Sequence, residues 1–428
     1  MYKAPRGTVD LLPNDQKYWR YVERHAADVC RRFGYQRIDT PAFEAAELFV
    51  RGVGEQTDVV QKETYTFPDR GEELLTLRPE GTAPVCRAYL QHGMANLPQP
   101  VRLYYFCPIF RYERPQAGRY RQHHQFGIEC IGDADPLIDT EVIQVAWTVT
   151  LELGLKDLVL VINSIGDANC RPAYHMALRT YYEGHLDRVC DDCRARYKRN
   201  PLRLLDCKQE VCQPYIRSAP HSTDHLCAPC REHWDSLQRY LKELRIPYQI
   251  DHRLVRGLDY YTRTVFEIQP PEEGGQSTIV GGGRYDGLIQ QLGGRPTPGI
   301  GFGSGMERLI LNLRRQEMPV PEESPRPIVV LPMGEAALAI GLDLAARLRT
   351  AGFTALLAGA SKSLRSQMRY ASALQARFAV VLGDREMAQG AAIVRDMDQG
   401  AQQKVPQNDL IAYLQGHDLF QPGFQAPR

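Results

Sequence analysis

Gln125 and Glu129 stand four residues apart in QFGIE, with Phe126 and Ile128 alternating between them. On a strand, that spacing turns both polar side chains to one face and both apolar ones to the other. An amide and a carboxylate on one face of a central strand need polar partners, and a polar ligand would supply them. A second constellation is TLRPEGTA. There Pro79 and Gly81 restrict the backbone around Glu80, and Thr82 adds a hydroxyl. A carboxylate beside a hydroxyl suits an ammonium group, and the same pattern also suits a solvated turn. The third is FRYERPQAGRYRQHHQ, which carries Arg111, Glu113, Arg114, Arg119 and Arg121. Guanidinium forks grip phosphate oxygens and stack on flat rings. Arg111 and Glu113 are two apart and share a strand face.

In LVRGLDYY, Arg256 precedes Gly257, with Asp259, Tyr260 and Tyr261 close behind. An arginine held beside two phenols can stabilise negative charge that develops during a reaction. GGGRYDGL follows from Gly281 and includes Tyr285, and GIGFGSGMERL follows from Gly299. Consecutive glycines allow close backbone approach to a ligand. Neither run ends in Gly-Lys-Ser/Thr, so neither is a P-loop, and no βαβ context marks a dinucleotide fingerprint. Arg308 lies about one helical turn beyond Gly305 and can reach back toward a phosphate. Six cysteines form three pairs: Cys190-x2-Cys193, Cys207-x4-Cys212 and Cys227-x2-Cys230. The two CxxC pairs are a zinc-ribbon pattern, which points to Cys190, Cys193, Cys227 and Cys230 as a zinc set. Cys207, Cys212, His225 and His233 are further candidates.

The elements that must position these groups can be read from periodicity. Trp19, Val22, Ala26, Val29 and Phe33 recur at helical spacing, and Gly34 stops the run, which predicts a helix over 15–33. Strands are expected at 35–40, 101–106, 109–112 and 125–131, with a helix over 139–153 packed on one face of an antiparallel sheet. The segment 169–245 is rich in Cys, Arg and Pro and reads as an insertion. The strand pattern returns at 248, 264–268, 277–280 and 300–302. PVPEESPRP, spanning 319–327, has linker composition. Beyond it, strands at 328–331, 353–357 and 378–382 alternate with helices at 336–348 and 364–374, which predicts a small α/β domain with a mainly parallel sheet. The expected organisation is therefore a catalytic core over 1–168 and 246–318, the insertion at 169–245, the linker, and a terminal α/β domain over 328–420.

The bulk numbers set the limits. The chain has 428 residues, 43% of them hydrophobic, enough for two or three cores. A net charge of +1 gives no global basic field, so any nucleic-acid contact must come from local arginine clusters. No apolar run approaches membrane-spanning length and the first residues lack a signal-peptide core, so a cytoplasmic protein is expected. Eleven cysteines in that setting argue for thiols or metal ligands rather than disulfides.

In this order, TLRPEGTA, FRYERP…GRYRQ, LVRGLDYY and GGGRYDGL closely resemble the histidyl-tRNA synthetases, a class II aminoacyl-tRNA synthetase family. The likeness runs from Arg6 to the last α/β unit. It implies an α+β catalytic domain with a six-stranded antiparallel sheet and a C-terminal α/β anticodon-binding domain. It also implies a homodimer that joins L-histidine to its tRNA through a histidyl-adenylate, with ATP and magnesium. On this resemblance, Glu80, Gly81, Thr82 and Gln125 hold the substrate ammonium. Glu129, Tyr260 and Tyr261 read the imidazole. Arg111, Glu113, Arg119, Tyr285 and Arg308 take ATP. Arg256 and Arg111 steady the α-phosphate during activation. A synthetase-like regulatory subunit of histidine biosynthesis resembles the same core, but typically lacks the terminal domain and parts of these motifs. His123 departs from the family's usual Phe, and the cysteine-rich insertion varies within the family, so the resemblance implies nothing about zinc.

Overall fold

In the computed structural model, residues 2–417 are described apart from 55–56, 58, 114–119, 271–277 and 323–324. Contacts divide the chain into two units, Met1–Val320 and Pro321–Arg428.

The first unit is built on one eight-stranded sheet. Its order is Gln36–Arg37, Val101–Phe110, Gln122–Ile131, Gly299–Gly305, Val280–Arg284, Thr262–Gln269, Val159–Ser164 and Tyr248–Ile250. The six inner strands are antiparallel, as expected, and a short parallel strand joins each edge. The strand expected to break at Pro108 runs on to Phe110, and Pro108 sits opposite His124 in the ladder. GGGR lies in an inner strand, Val280–Arg284.

One face of the sheet supports a large apolar core. Phe126, Ile128, Phe266, Ile300 and Phe302 meet the buried stripes of the helices Pro13–Arg32, Pro136–Glu152, Ala228–Glu243 and Met306–Arg315. Pro136–Glu152 begins on Asp135, whose carboxylate accepts from the Leu137 amide, with Pro136 in the first turn, where its missing N–H costs nothing. Trp234, Leu237 and Leu241 lie in this core, so the last helix of the expected insertion is part of the catalytic layer. The other face carries the helix Thr82–Gln91, the tyrosines of the 254–261 segment and the remaining insertion helices. Arg284 and Asp139 are both fully buried, paired to each other, and joined by His233 at 2.7 Å from Asp139. Burial works against the Asp139 charge, but Arg284 and His233 outweigh it and hold the carboxyl at about 2.

The second unit is a five-stranded sheet in the order Ala355–Leu357, Ile328–Pro332, Phe378–Leu382, Ala391–Asp396 and Gln402–Pro406. The first three strands are parallel, linked by the helices Glu335–Thr350 and Leu364–Ala373, and the last two are antiparallel. No helix among the described residues is long and apolar enough to cross a membrane.

Candidate active site

The strand register explains the site. Tyr105, Gly127, Gly303, Gly281 and Glu267 lie side by side across five adjacent strands. The next row on the same face is Leu103, Glu129, Gly301, Gly283 and Val265. The middle of this face therefore carries almost no side chains. Functional groups lie flat on it, and a Cβ would collide with them. At Gly281 it would stand 2.5 Å from Arg256 Nη2, at Gly303 2.6 Å from Gln125 Nε2, and at Gly301 against Glu129. The glycines make room for neighbouring side chains; this is the close approach that the glycine runs allow, with protein groups taking the space.

Glu129 is fully buried at the bottom of this floor. Its Oε1 accepts from Thr82 Oγ1 at 2.8 Å and from the Tyr105 hydroxyl at 3.2 Å, and its Oε2 accepts from the Tyr285 hydroxyl at 2.6 Å. Burial pushes its carboxyl up to about 8 despite these donors. Gln125 Nε2 donates to the Tyr105 oxygen at 3.0 Å, which links the two groups read as sharing a face. Glu80 receives the Thr82 and Ala83 amides at 2.7 and 2.8 Å, at the start of the helix Thr82–Gln91. The Tyr260 hydroxyl reaches Glu80 at 3.4 Å, and the Tyr260 and Tyr261 rings lie 4.7 Å apart. Burial raises the Glu80 carboxyl as well.

Arg256 rests on Gly281, paired to Glu267 and 5.8 Å from the centre of the Tyr261 ring. Glu267 is in turn held by Gln269 at 2.6 Å and Thr278 at 2.7 Å. Among the described residues, Arg256 Nε is buried without a hydrogen-bond partner. Insertion residues brace this segment, two at its backbone and one at the Asp259 carboxylate. Arg203 donates to the Gly257 carbonyl at 2.8 Å, Asn200 to Asp259 at 3.0 Å, and Arg171 to the Tyr261 carbonyl at 2.6 Å. Arg111 Nε is fixed on the Pro79 carbonyl at 2.7 Å, with Glu113 4.0 Å away. Arg308 donates to the Thr278 carbonyl at 2.7 Å. Burial, and then Arg111 and Arg308, hold His123 neutral by pushing it down to about 3. Arg119 lies outside the described residues.

Glu80, Gly81, Thr82, Gln125, Glu129, Arg256, Tyr260 and Tyr261 thus gather over one sheet face, with Arg111 and Glu113 at the adjoining strand end. One expectation needs correcting. Tyr285, assigned to ATP, is 1% exposed and donates to Glu129; its ring lies against Gly299, where a Cβ would collide with it. Three hydroxyls reach Glu129, those of Thr82, Tyr105 and Tyr285. Tyr105 was missed; its only sequence signal is an inward position in the alternating strand VRLYYFCPIF.

The expected zinc set is also corrected. The two CxxC pairs belong to different clusters: Cys190 and Cys193 with Cys207 and Cys212, and Cys227 and Cys230 with Asp167 and Cys170. His233 is committed to Asp139, and the His225 ring lies 5.6 Å from that of Tyr174.

Comparison with known proteins agrees with this geometry. The histidyl-tRNA synthetase family matches residues 7–309, and the anticodon binding domain family matches 327–417. A curated histidine–tRNA ligase of Dehalococcoides mccartyi is 55% identical over 415 residues, covering 97% of this chain and 99% of that protein. The crystal structure of apo histidyl-tRNA synthetase from S. aureus superposes with a TM-score of 0.82 at 38% identity, covering 96% and 99% of the two chains. A Bacillus halodurans structure described as an ATP phosphoribosyltransferase regulatory subunit/histidyl-tRNA synthetase shares the fold at 21% identity and a TM-score of 0.64, covering 86% of this chain and 96% of that one. The extent of the 7–309 match and the identity to these ligases place the chain in the histidyl-tRNA synthetase family.

Proposed function

We propose that this chain activates L-histidine with ATP as a histidyl-adenylate and passes the histidyl group to the 3′-terminal ribose of its tRNA. The observation that carries the reading is Glu129. A fully buried acid held by three hydroxyls is costly to ionise unless a ligand repays it, and an imidazole N–H is a fitting donor. A pocket whose buried polar groups are left unpaired by apolar side chains rejects them strongly. Glu80 and Gln125 face the same space and hold the ammonium. That leaves the substrate carboxylate toward Arg111 and Arg256, where it attacks the α-phosphate, breaks the bond to the β-phosphate and releases pyrophosphate. In-line transfer of this kind depends on positioning and positive charge. Arg256, with a buried Nε that has no partner among the described residues and its Nη1 paired to Glu267, supplies charge without reorganisation. Magnesium accompanies ATP, and Glu113, Arg119 and Arg308 complete the nucleotide contacts.

A second copy of the chain covers the exposed Phe43, Phe67 and Leu74 of the small sheet formed by Phe43–Ala45, Tyr65–Pro68 and Leu74–Leu77. The anticodon-binding unit at 327–417 favours tRNA charging over the regulatory reading. Incubation with labelled histidine, ATP and unfractionated tRNA tests this. Acid-precipitable label that depends on ATP is expected. Histidine binding without charging would replace this function with the regulatory one.

A further inference from the structure

In the first cysteine cluster, Cys190 Sγ lies 3.7 Å from Cys207 Sγ, and Cys212 Sγ lies 3.8 Å from Cys193 Sγ. All four sulfurs fall within 4.8 Å of one another. A disulfide needs about 2.05 Å. A regular tetrahedron with metal–sulfur bonds of about 2.3 Å has edges of about 3.8 Å. The Cys190 amide also donates to Cys212 Sγ at 3.3 Å, a contact that orients a ligating thiolate. Cys190 caps the helix Asp191–Arg199 and Cys193 lies in its first turn, where the helix dipole favours a thiolate.

The second cluster repeats the plan. Cys227 caps the helix Ala228–Glu243 with Cys230 in its first turn, and Cys170 caps Arg171–Glu183. Asp167 Oδ1 lies 3.7 Å from Cys170 Sγ and 4.0 Å from Cys227 Sγ, and Asp167 Oδ2 is held by Arg263 at 3.4 Å.

We propose that the chain holds two structural zinc ions, one on Cys190, Cys193, Cys207 and Cys212 and one on Asp167, Cys170, Cys227 and Cys230. Soft thiolates in four-coordinate sets with no open position select zinc in a closed, structural role. Their placement gives them a purpose. Asn200 and Arg203, which hold Asp259 and Gly257, lie on the segment bounded by Cys193 and Cys207. Arg171, which holds Tyr261, is the residue after Cys170, and Arg263 beside Asp167 follows Tyr261 by two. The ions therefore fasten the braces of the segment that carries Arg256, while no ligand touches the reacting groups.

The full-length protein, purified under reducing conditions, tests this by metal analysis independently of any catalytic assay. Two zinc equivalents per chain are expected, falling to one in Cys193→Ser/Cys212→Ser and to one in Cys170→Ser/Cys230→Ser. Fewer than about 0.2 equivalents after incubation with zinc and desalting would overturn the proposal. A native content of only one equivalent, absent from both double variants, would mean a single ion on the two CxxC pairs and would overturn the pairing. A native content of only one equivalent, lost in just one of the two variants, would overturn the other site. X-ray absorption on the native protein covers the case in which a variant does not fold: sulfur neighbours at about 2.3 Å must dominate, and a shell dominated by nitrogen or oxygen would overturn it. Removing the metal should speed amide exchange across 254–261 at least tenfold, and unchanged exchange there would refute the brace.

Discussion

Gly281→Ala tests whether the bare sheet face sets the position of Arg256. Gly281 lies in an inner strand and is not among the positive-φ glycines, so alanine fits its backbone. The added methyl would stand 2.5 Å from Arg256 Nη2, 2.7 Å from Nη1 and 2.8 Å from Cζ. Ordinary contact begins near about 3.5 Å, so the guanidinium must retreat by about 1 Å. The group that yields is the end of a flexible side chain, 23% exposed, so the fold should survive. A misplacement of about 1 Å at a reacting centre costs about 10²-fold, and loss of one preorganised charge donor costs about 10²- to 10³-fold. Histidine-dependent ATP–pyrophosphate exchange should therefore lose roughly 10²-fold in kcat, with the histidine KM within about threefold and the melting temperature nearly unchanged. The neighbouring Gly282→Ala points the other way: its methyl meets Phe302 Cβ at 2.6 Å and Cα at 2.8 Å, in the core, and should impair folding instead. Native kcat in a folded Gly281→Ala would refute the placement of Arg256.

Tyr105→Phe removes the hydroxyl shared by Glu129 and Gln125 and should raise the histidine KM roughly tenfold with a smaller change in kcat, measured by steady-state exchange; an unchanged KM would remove Tyr105 from the pocket. Glu129 sits at about 8 in the folded chain against an ordinary value near 4.5, so between these the unfolded chain is ionised while the folded one keeps its proton. Its contribution to stability is present below about pH 4.5, declines as pH rises and levels off above about pH 8. Urea midpoints from pH 5 to 8 should therefore fall less steeply in Glu129→Gln than in the native chain, and parallel curves would contradict this. Arg284→Ala strands Asp139 as a buried charge and should cost about 3–5 kcal/mol, seen as a lower denaturation midpoint; a native midpoint would mean that water or His233 compensates fully.

Much of this site is legible in the residues because strand periodicity is rigid. Gln125 and Glu129 share a face, as their spacing of four requires. The helix read from Trp19, Val22, Ala26 and Val29 forms over Pro13–Arg32, with those four residues on its buried side. What escaped depends on contacts between distant segments. GGGR gives no clear strand signal because glycine is a poor strand former, yet it pairs with a strand on each side, and Arg256 and Tyr261 from the preceding segment lie over it. Tyr105 looks like one more core aromatic until Glu129 is placed beside it. Neighbouring CxxC pairs suggest one metal set, whereas the chain folds each onto different partners, since Cys207 and Cys212 lie nearer the first pair than the second pair does.

The central claim is that the Glu129 pocket selects histidine for activation. ATP–pyrophosphate exchange with each of the twenty amino acids, on native protein and on Glu129→Gln, tests it most directly. The account predicts exchange with histidine alone in the native chain, and a histidine KM raised at least tenfold by the substitution. Exchange driven by another amino acid, or a native histidine KM in Glu129→Gln, would contradict it.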